Sequence, residues 1–104
     1  MNELDRTIHE PVRLRIMALL CGVETADFTF LLSTLGLTKG NLASHMARLE
    51  RDGLASVRKS FRGRTPHTQY RATPRGRQAL AAYWREMDEI RALSAERKPR
   101  PSGS

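Results

Sequence analysis

Three polar residues recur at helical spacing in the middle of the chain. Asn41, Ser44 and Arg48 stand at i, i+3 and i+7, so a helix would place them on one side, with His45 at the edge of that side. An amide can pair with the edge of adenine, and arginine with the edge of guanine or with a phosphate. No acid interrupts this side before Glu50. These residue types indicate a helix that could enter the major groove of DNA, although a polar helix side is often simply solvated.

The flanking residues set the bounds of that helix at about 38–52. Thr38 suits the N-cap position, and Gly53 suits the position after the helix, where φ is positive. An apolar stripe at i, i+4 and i+7 consists of Leu42, Met46 and Leu49. Lys39 and the helix N-terminus favour a phosphate, and Gly40 allows close approach of the backbone. The helix is therefore expected to pack on one side and to bind on the other.

A strongly basic hairpin is expected directly after this helix. Residues 54–61 and 68–72 alternate as two strands, and the loop 62–66 (RGRTP) joins them. Between Leu54 and Ala82 the chain has no Asp or Glu. The same stretch has seven cations: Arg58, Lys59, Arg62, Arg64, Arg71, Arg75 and Arg77. Clustered cations repel one another, so an external anion such as the DNA backbone explains them.

A short helix precedes the one that carries Asn41. Residues 27–35 (DFTFLLSTL) are expected to be helical, capped by Asp27 or Thr29 and closed by Gly36. The connection to the next helix is only residues 36–38. Two helices joined by a short turn with glycine are typical of a helix-turn-helix. With the hairpin, the pattern predicts a mainly α fold with a small β-hairpin, a winged helix-turn-helix.

The segments IHEPVRLRIMALL, LGLTKGNLASHMARLERDGL and SFRGRTPHTQYRATPRG resemble the small winged-helix transcriptional regulators of the MarR/ArsR-like group. The resemblance covers about residues 3–90. It implies sequence-specific binding of double-stranded DNA by a homodimer, usually to repress transcription. The residues that would contact bases or backbone are Asn41, Ser44, His45 and Arg48, and those of the wing are Arg62, Arg64, Thr65 and His67. The resemblance also implies dimerisation through the first and last helices.

The first long helix is expected over residues 11–23 and is apolar on two sides. One side, continued backward by Ile8, consists of Val12, Ile16, Leu19, Leu20 and Val23. A second side, roughly opposite, consists of Leu14, Met17 and Cys21. We expect the second side to contact another subunit, since exposed apolar patches usually mark contacts. The alternative is burial beneath the C-terminal helix of the same chain.

The last helix is expected to begin with Thr73 as N-cap and Pro74 as its first residue. A heptad-like seam consists of Leu80, Tyr83, Met87 and Ile90, flanked by Trp84. The seam is too short for an independent coiled coil. It could pack against its symmetry mate, against the first helix, or within the core of its own chain.

The remaining composition narrows the function classes. With 104 residues, one domain over residues 1–93 is expected, followed by a disordered basic tail over 94–104. One cysteine and no apolar run long enough for a membrane fit a cytoplasmic protein. Cys21, His9, His45 and His67 are too scattered for a metal site. No motif for catalysis or a cofactor is present, and a small-molecule effector cannot be read from the sequence.

Two other binding functions fit some of these patterns. A winged helix can act as a protein-interaction module, with the basic hairpin facing an acidic partner. RNA binding fits less well, because only Phe61 and Tyr70 could provide aromatic stacking on the strands.

Overall fold

The computed structural model describes residues 3–95, which form five helices and three strands. The elements, in chain order, are α1 (Glu3–His9), α2 (Pro11–Cys21), β1 (Ala26–Asp27), α3 (Phe28–Leu35), α4 (Lys39–Arg51), β2 (Ala55–Arg62), β3 (Thr65–Ala72) and α5 (Pro74–Ala95). The strands form an antiparallel sheet in the order β1–β3–β2. The predicted mainly α winged helix-turn-helix is confirmed.

The ends of α3 and α4 lie where the local sequence predicts them. Asp27 caps α3 by accepting a hydrogen bond from the backbone N–H of Phe30 at 2.7 Å. Gly36 ends that helix with φ 64°, and Gly53 follows α4 with φ 75°. These left-handed conformations suit glycine because it has no Cβ. The helix-turn-helix is therefore built from caps that act within a few residues.

The N-terminal region differs from the expected single helix over 11–23. The structure has two helices, α1 and α2, and Glu10 between them caps α2. Its carboxylate accepts hydrogen bonds from the backbone N–H groups of Val12 and Arg13, at 3.0 and 2.9 Å. At its other end α2 stops at Cys21. Val23 was expected in the core stripe, but it lies beyond the helix and is 37% exposed.

Helix α2 is the central element of the core. The buried apolar residues are Ile8, Ile16, Met17, Leu20, Ala26, Leu31, Leu42, Met46, Leu49, Leu54, Ala55, Tyr70, Ala72, Leu80 and Tyr83. They come from every helix and from all three strands. Met17, Leu80 and Tyr83 of the expected dimer face lie in this core and are 0%, 5% and 4% exposed. They pack within their own chain and offer little surface to a second one.

Helix α5 covers Met17, as the stated alternative predicts, since α2 packs against α5 and a Cβ on Gly76 would lie 2.9 Å from Cε of Met17. Helix α1 packs against both α2 and α5, and His9 Nδ1 lies 2.9 Å from the hydroxyl of Tyr83. The second apolar side of α2 is thus covered within the chain. The other residues of the expected dimer face differ in exposure: Leu14, Cys21 and Met87 are partly buried against the core, whereas Trp84 and Ile90 are 44% and 52% exposed.

The hairpin is tighter than predicted. Arg62 pairs with Thr65, so the turn has two residues, Gly63 and Arg64, instead of the five expected. Gly63 has φ 62°, whereas no residue other than glycine has a positive φ among those described. Glycine at the first turn position followed by a residue of negative φ is the pattern of a type II′ turn. Pro66 lies in β3, paired with Phe61.

A close contact joins the end of α4, the base of the hairpin and the start of α5. Thr73 caps α5 by accepting from the backbone N–H of Gly76 at 2.9 Å, and donates to the carbonyl of Gly53 at 2.6 Å. A Cβ on Gly76 would lie 2.0 Å from the carbonyl oxygen of Leu54. Only glycine allows this approach, so the joint depends on that residue.

The C-terminal end of α5 includes Ser94 and Ala95, which were expected to belong to the tail. The rest of the predicted tail, residues 96–104, lies outside the described residues. Within residues 3–95, no helix combines the length and apolar character needed to cross a membrane. The same range has no group of three or more His, Cys, Asp or Glu side chains that could hold a metal ion.

Candidate nucleic-acid interface

Helix α4 exposes its polar side to solvent because its apolar side is buried in the core. Leu42, Met46 and Leu49 are fully buried, as the stripe predicts. Asn41 and Ser44 are exposed, and so are Lys39 and Gly40 in the first turn. Thr38 caps the helix by accepting from the backbone N–H of Asn41 at 3.2 Å, and the first turn has no acid. This end of α4 can therefore approach an anion.

Arg48 is held by an ion pair inside the chain, which was not predicted although its i,i+4 spacing from Asp52 could have indicated it. Its Nε donates to Oδ2 of Asp52 at 3.1 Å. The same oxygen accepts from the hydroxyl of Thr7, which lies in α1 and is fully buried. The side chain of Asp52 itself is only 9% exposed. Helix α1 thus fixes the C-terminal end of α4 and, through Asp52, the position of Arg48.

The pKa of Asp52 reflects this network. Burial raises the pKa of the carboxyl, but the hydrogen bonds from Thr7 and Arg48 and the charges of Arg48 and Arg51 outweigh burial. The net result is a pKa below the ordinary value of 3.8. Asp52 is therefore a carboxylate at neutral pH and can hold Arg48 as an ion pair.

His45 is engaged in a second cluster and is only partly exposed. Its Nδ1 lies 3.5 Å from a carboxylate oxygen of Glu10 and 3.3 Å from Nη1 of Arg13. Arg13 is itself fixed, because its Nε donates to the carbonyl of Thr7 at 2.7 Å. Burial raises the pKa of Glu10, but hydrogen bonds from the backbone of Arg13 and Val12, with the charges of His45 and Arg13, bring it below 4.5. His45 thus links α4 to α2 in addition to any contact with DNA.

Two arginines that were not predicted join this surface. Ser44, His45, Ala47, Arg48, Arg13 and Arg51 line a shallow depression of about 440 Å³. The side chain of Arg51 is 68% exposed. Its spacing of i+7 from Ser44 could have identified it, whereas Arg13 comes from α2 and has no local signal that connects it to α4. The polar side of α4 is therefore more basic than the spacing of Asn41, Ser44 and Arg48 suggested.

The hairpin β2–β3, called the wing below, presents cations without partners. Arg58, Lys59, Arg62, Arg64 and Arg71 are all exposed. None of them has a hydrogen bond or an ion pair with another residue of the range 3–95. Thr65, beside the turn, is exposed as well. The charges of the wing are therefore available to an external anion.

Strand alternation divides the wing into two faces. Val57 and Tyr70 pair on the face that packs toward the helices, and Lys59 and Phe61 continue that face toward the turn. Arg58, Arg62 and Arg71 lie on the opposite face. His67 pairs with Ser60, and its Nε2 is buried without a hydrogen-bond partner within residues 3–95. His67 lies on the same face of the hairpin as Arg58 and Arg62, so a contact between this residue and DNA stays a prediction.

Not every cation of the acid-free stretch belongs to the wing. Arg77, in the first turns of α5, donates from Nη1 to the carbonyl of Cys21 at 2.9 Å and from Nη2 to the carbonyl of Val23 at 3.4 Å. It therefore satisfies carbonyls at the end of α2. Burial raises the pKa of the Cys21 thiol, with the charge of Arg77 opposing it. A raised thiol pKa suits a small apolar residue better than a reactive one.

Known proteins are similar to most of this chain. The model of the winged helix DNA-binding domain family matches residues 12–91. An uncharacterized protein of Methanocaldococcus jannaschii is 40% identical over 80 residues, which are 76% of this chain and 86% of that protein.

Solved structures resemble the chain as well. A structure described as a transcriptional regulator homologue from Pyrococcus horikoshii superimposes with a TM-score of 0.77 at 33% identity, over 82% of this chain and 84% of that one. A structure described as a putative transcriptional regulator of the MarR family from Enterococcus faecalis has a TM-score of 0.72 at 24% identity, over 89% and 83% of the two chains. The second likeness supports the fold alone.

Proposed function

The chain belongs to the winged helix DNA-binding domain family, and on that basis we propose that it is a transcriptional repressor that binds double-stranded DNA as a homodimer. The observation that carries the proposal is the pairing of two surfaces: the outward polar side of α4 and the unpartnered cations of the wing. The described relatives of known class are regulators of transcription rather than enzymes. We also propose a cytoplasmic location, because the DNA of a cell without a nucleus lies in the cytoplasm.

Helix α4 would supply sequence recognition in the major groove. Asn41 and Ser44 are exposed and can hydrogen-bond to base edges, and Arg51 can reach a base or a phosphate. Arg48 would contact DNA from the position that Asp52 gives it. Lys39 and the N-terminal turn would bind a phosphate that sets the register of the helix.

The wing would bind the backbone and the adjacent minor groove. Arg62, Arg64 and Thr65 surround its turn, and Arg58 and Lys59 follow along β2. Cations without internal partners lose no ion pair when they bind phosphates, and they release counterions from the DNA. This half of the interface supplies affinity for any DNA sequence.

The dimer would use the exposed part of α5. Trp84, Ile90 and Leu93 are 44%, 52% and 71% exposed, and Met87 borders them. Leu14 and Cys21 can contribute only at the margin, because they are partly buried. A two-fold axis through α5 would direct two α4 helices to half-sites about one helical turn of DNA apart.

The dimer is testable by light scattering after size-exclusion chromatography. Ile90→Glu, in the exposed apolar group, should give monomers, whereas Glu89→Gln, at an exposed neighbouring position, should leave the mass of a dimer. Monomeric wild-type protein at micromolar concentration would contradict the dimer without touching the DNA-binding part of the proposal.

The test of DNA binding begins with duplexes that the full chain selects from a randomised pool. Fluorescence anisotropy then compares a selected duplex with a scrambled one, at about 50 and 200 mM salt. We expect a preference of about a thousandfold or more that persists at the higher salt. Equal affinity for both duplexes would contradict the proposed sequence-specific recognition. No binding even at low salt would contradict the proposal and favour a protein-interaction module.

A further inference from the structure

The wing carries one exposed aromatic side chain close to its turn. Phe61 is 71% exposed and lies directly before Arg62 and the turn residues Gly63 and Arg64. It belongs to the helix-facing side of β2 but lies beyond the core, and no ring contact is found for it within residues 3–95. Single exposed apolar residues are common on proteins, so exposure alone would carry no inference.

The residue that pairs with Phe61 is apolar as well. Pro66 pairs with Phe61 across the hairpin and is also exposed. In a hairpin with a two-residue turn, the closing pair Arg62–Thr65 exchanges hydrogen bonds, so the next pair is a non-hydrogen-bonded one. Proline costs no ladder hydrogen bond there, and side chains at such pairs lie closer together. Phe61 and Pro66 thus form a stiff apolar pair just behind the turn.

The surroundings of this pair identify the kind of surface that would cover it. Arg62 and Arg64 flank it, Lys59 precedes it on the same face, and none of these cations has a partner within residues 3–95. An apolar protein surface would leave those charges unpaired on desolvation. A DNA minor groove offers phosphates to the cations and stacked bases to the apolar pair, and phenylalanine and proline are among the residues that wedge between base steps there.

We propose that Phe61, backed by Pro66, is an apolar wedge that enters the minor groove, partly unstacks one base step in each half-site and kinks the DNA. The inference rests on the proposed DNA-binding function and deepens it. The kink would be directed toward the major groove, as with other minor-groove wedges. Pyrimidine–purine steps unstack most easily, so the selected duplexes should carry TA or CA/TG steps where the wing binds.

The experiment measures DNA shape and affinity in the same samples. A selected duplex carries a donor dye and an acceptor dye at its two ends, so that energy transfer reports the bend. A second copy carries 2-aminopurine at successive positions, since its fluorescence rises when the base is unstacked. Wild-type protein is compared with Phe61→Ala, Phe61→Leu, Arg64→Ala and Val23→Ala, the last being a control with an exposed apolar residue after α2.

The wedge makes distinct predictions for the variants. Wild-type protein should bend the duplex by about 20–90° at each wing and raise the signal of 2-aminopurine at one position in each half-site. Phe61→Ala should at least halve the bend, abolish the rise and weaken binding about tenfold, with an unchanged salt slope because no charge is lost. Phe61→Leu should keep most of the bend, since leucine is also a wedge residue. Val23→Ala should match the wild type.

Each alternative result overturns the inference. A straight duplex with wild-type protein, or a bend that survives Phe61→Ala, would contradict the wedge while leaving the proposed DNA binding intact. Failure of the wild-type protein to bind any duplex would overturn both. Because Phe61 is exposed, its variants should melt at the wild-type temperature, and circular dichroism checks that a lost bend is not lost folding.

Discussion

Helix α4 and the wing both carry arginines, but the structure holds them in opposite ways. Arg48 is tied to Asp52 and through it to Thr7, and His45 is tied to Glu10 and Arg13. The cations of the wing have no partner of this kind within residues 3–95. Arg48 and His45 on the α4 surface are held in place before they meet DNA, whereas the cations of the wing are free to adjust.

This difference suggests a division of labour between the two surfaces. Side chains that are already fixed lose less conformational entropy on binding, and a fixed geometry can discriminate between base edges. Free cations adapt to any backbone and contribute mainly through charge and counterion release. We therefore expect changes in α4 to alter selectivity, and changes in the wing to alter affinity for all sequences.

The largest expected effect comes from the joint that both surfaces share. Gly76→Ala would place a Cβ 2.0 Å from the carbonyl oxygen of Leu54, at the base of the wing. Because the clash is with backbone, α5 and β2 must separate, and we expect a loss of about 3 kcal/mol in the free energy of unfolding. Urea denaturation followed by circular dichroism measures it.

Gly40→Ala is the matched control for that substitution. Gly40 lies in the first turn of α4 and nothing stands within 4 Å of an added Cβ. Alanine favours a helix, so the free energy of unfolding should rise by up to about 1 kcal/mol. If Gly40→Ala destabilised the protein as much as Gly76→Ala, close packing would not be the reason.

The second effect tests how Arg48 is fixed. Asp52→Ala removes the buried carboxylate that accepts hydrogen bonds from Thr7 and Arg48. We expect a loss of about 2 kcal/mol in stability and a weaker preference for the selected duplex. Asp88→Ala breaks an exposed ion pair with Arg91 and should cost under about 0.5 kcal/mol. Equal losses for the two variants would refute the anchoring role of Asp52.

Acid should loosen α4 through the same carboxylates. Burial raises the pKa values of Asp52 and Glu10, but hydrogen bonds and nearby cations lower them below 3.8 and 4.5 overall. A lowered carboxylate pKa adds stability that is fully present above the unfolded value and is lost as pH falls through the folded value. Urea midpoints should therefore fall as the pH drops below 4.5. Asp52→Asn should show a shallower fall, and an unchanged slope would contradict the network.

The parts of the fold that depend on near neighbours could be predicted from the sequence. The caps Asp27, Thr38 and Thr73 and the glycines Gly36 and Gly53 act within a few residues of the helix ends that they define. The stripe of Leu42, Met46 and Leu49 was predicted from its helical period. Each of these features leaves a signal inside a short window of sequence.

The features that the sequence did not reveal depend on contacts between distant residues. Strand β1 has two residues and exists because Ala26 and Asp27 pair with β3. Met17 was expected on a dimer face, but it is buried where α2 packs against Gly76 of α5. Pro66 was expected in the turn, yet it lies in β3. Its backbone has no N–H, but a non-hydrogen-bonded pair needs none, so no hydrogen bond of the sheet is lost. Pairing of strands and packing of helices that are distant in the chain leave no pattern within a short window of sequence.

The measurement that tests the division of labour most directly compares Asn41→Ala with Arg64→Ala. Anisotropy titrations of a selected and a scrambled duplex, over a range of salt, give the affinity ratio and the salt slope for each variant. We predict that Arg64→Ala lowers the slope by about 2, because each protomer loses one phosphate contact, and weakens both duplexes alike. Asn41→Ala should reduce the free-energy preference for the selected duplex by about 1–3 kcal/mol per half-site, with an unchanged slope. The reverse pattern, or the same pattern for both variants, would contradict the account.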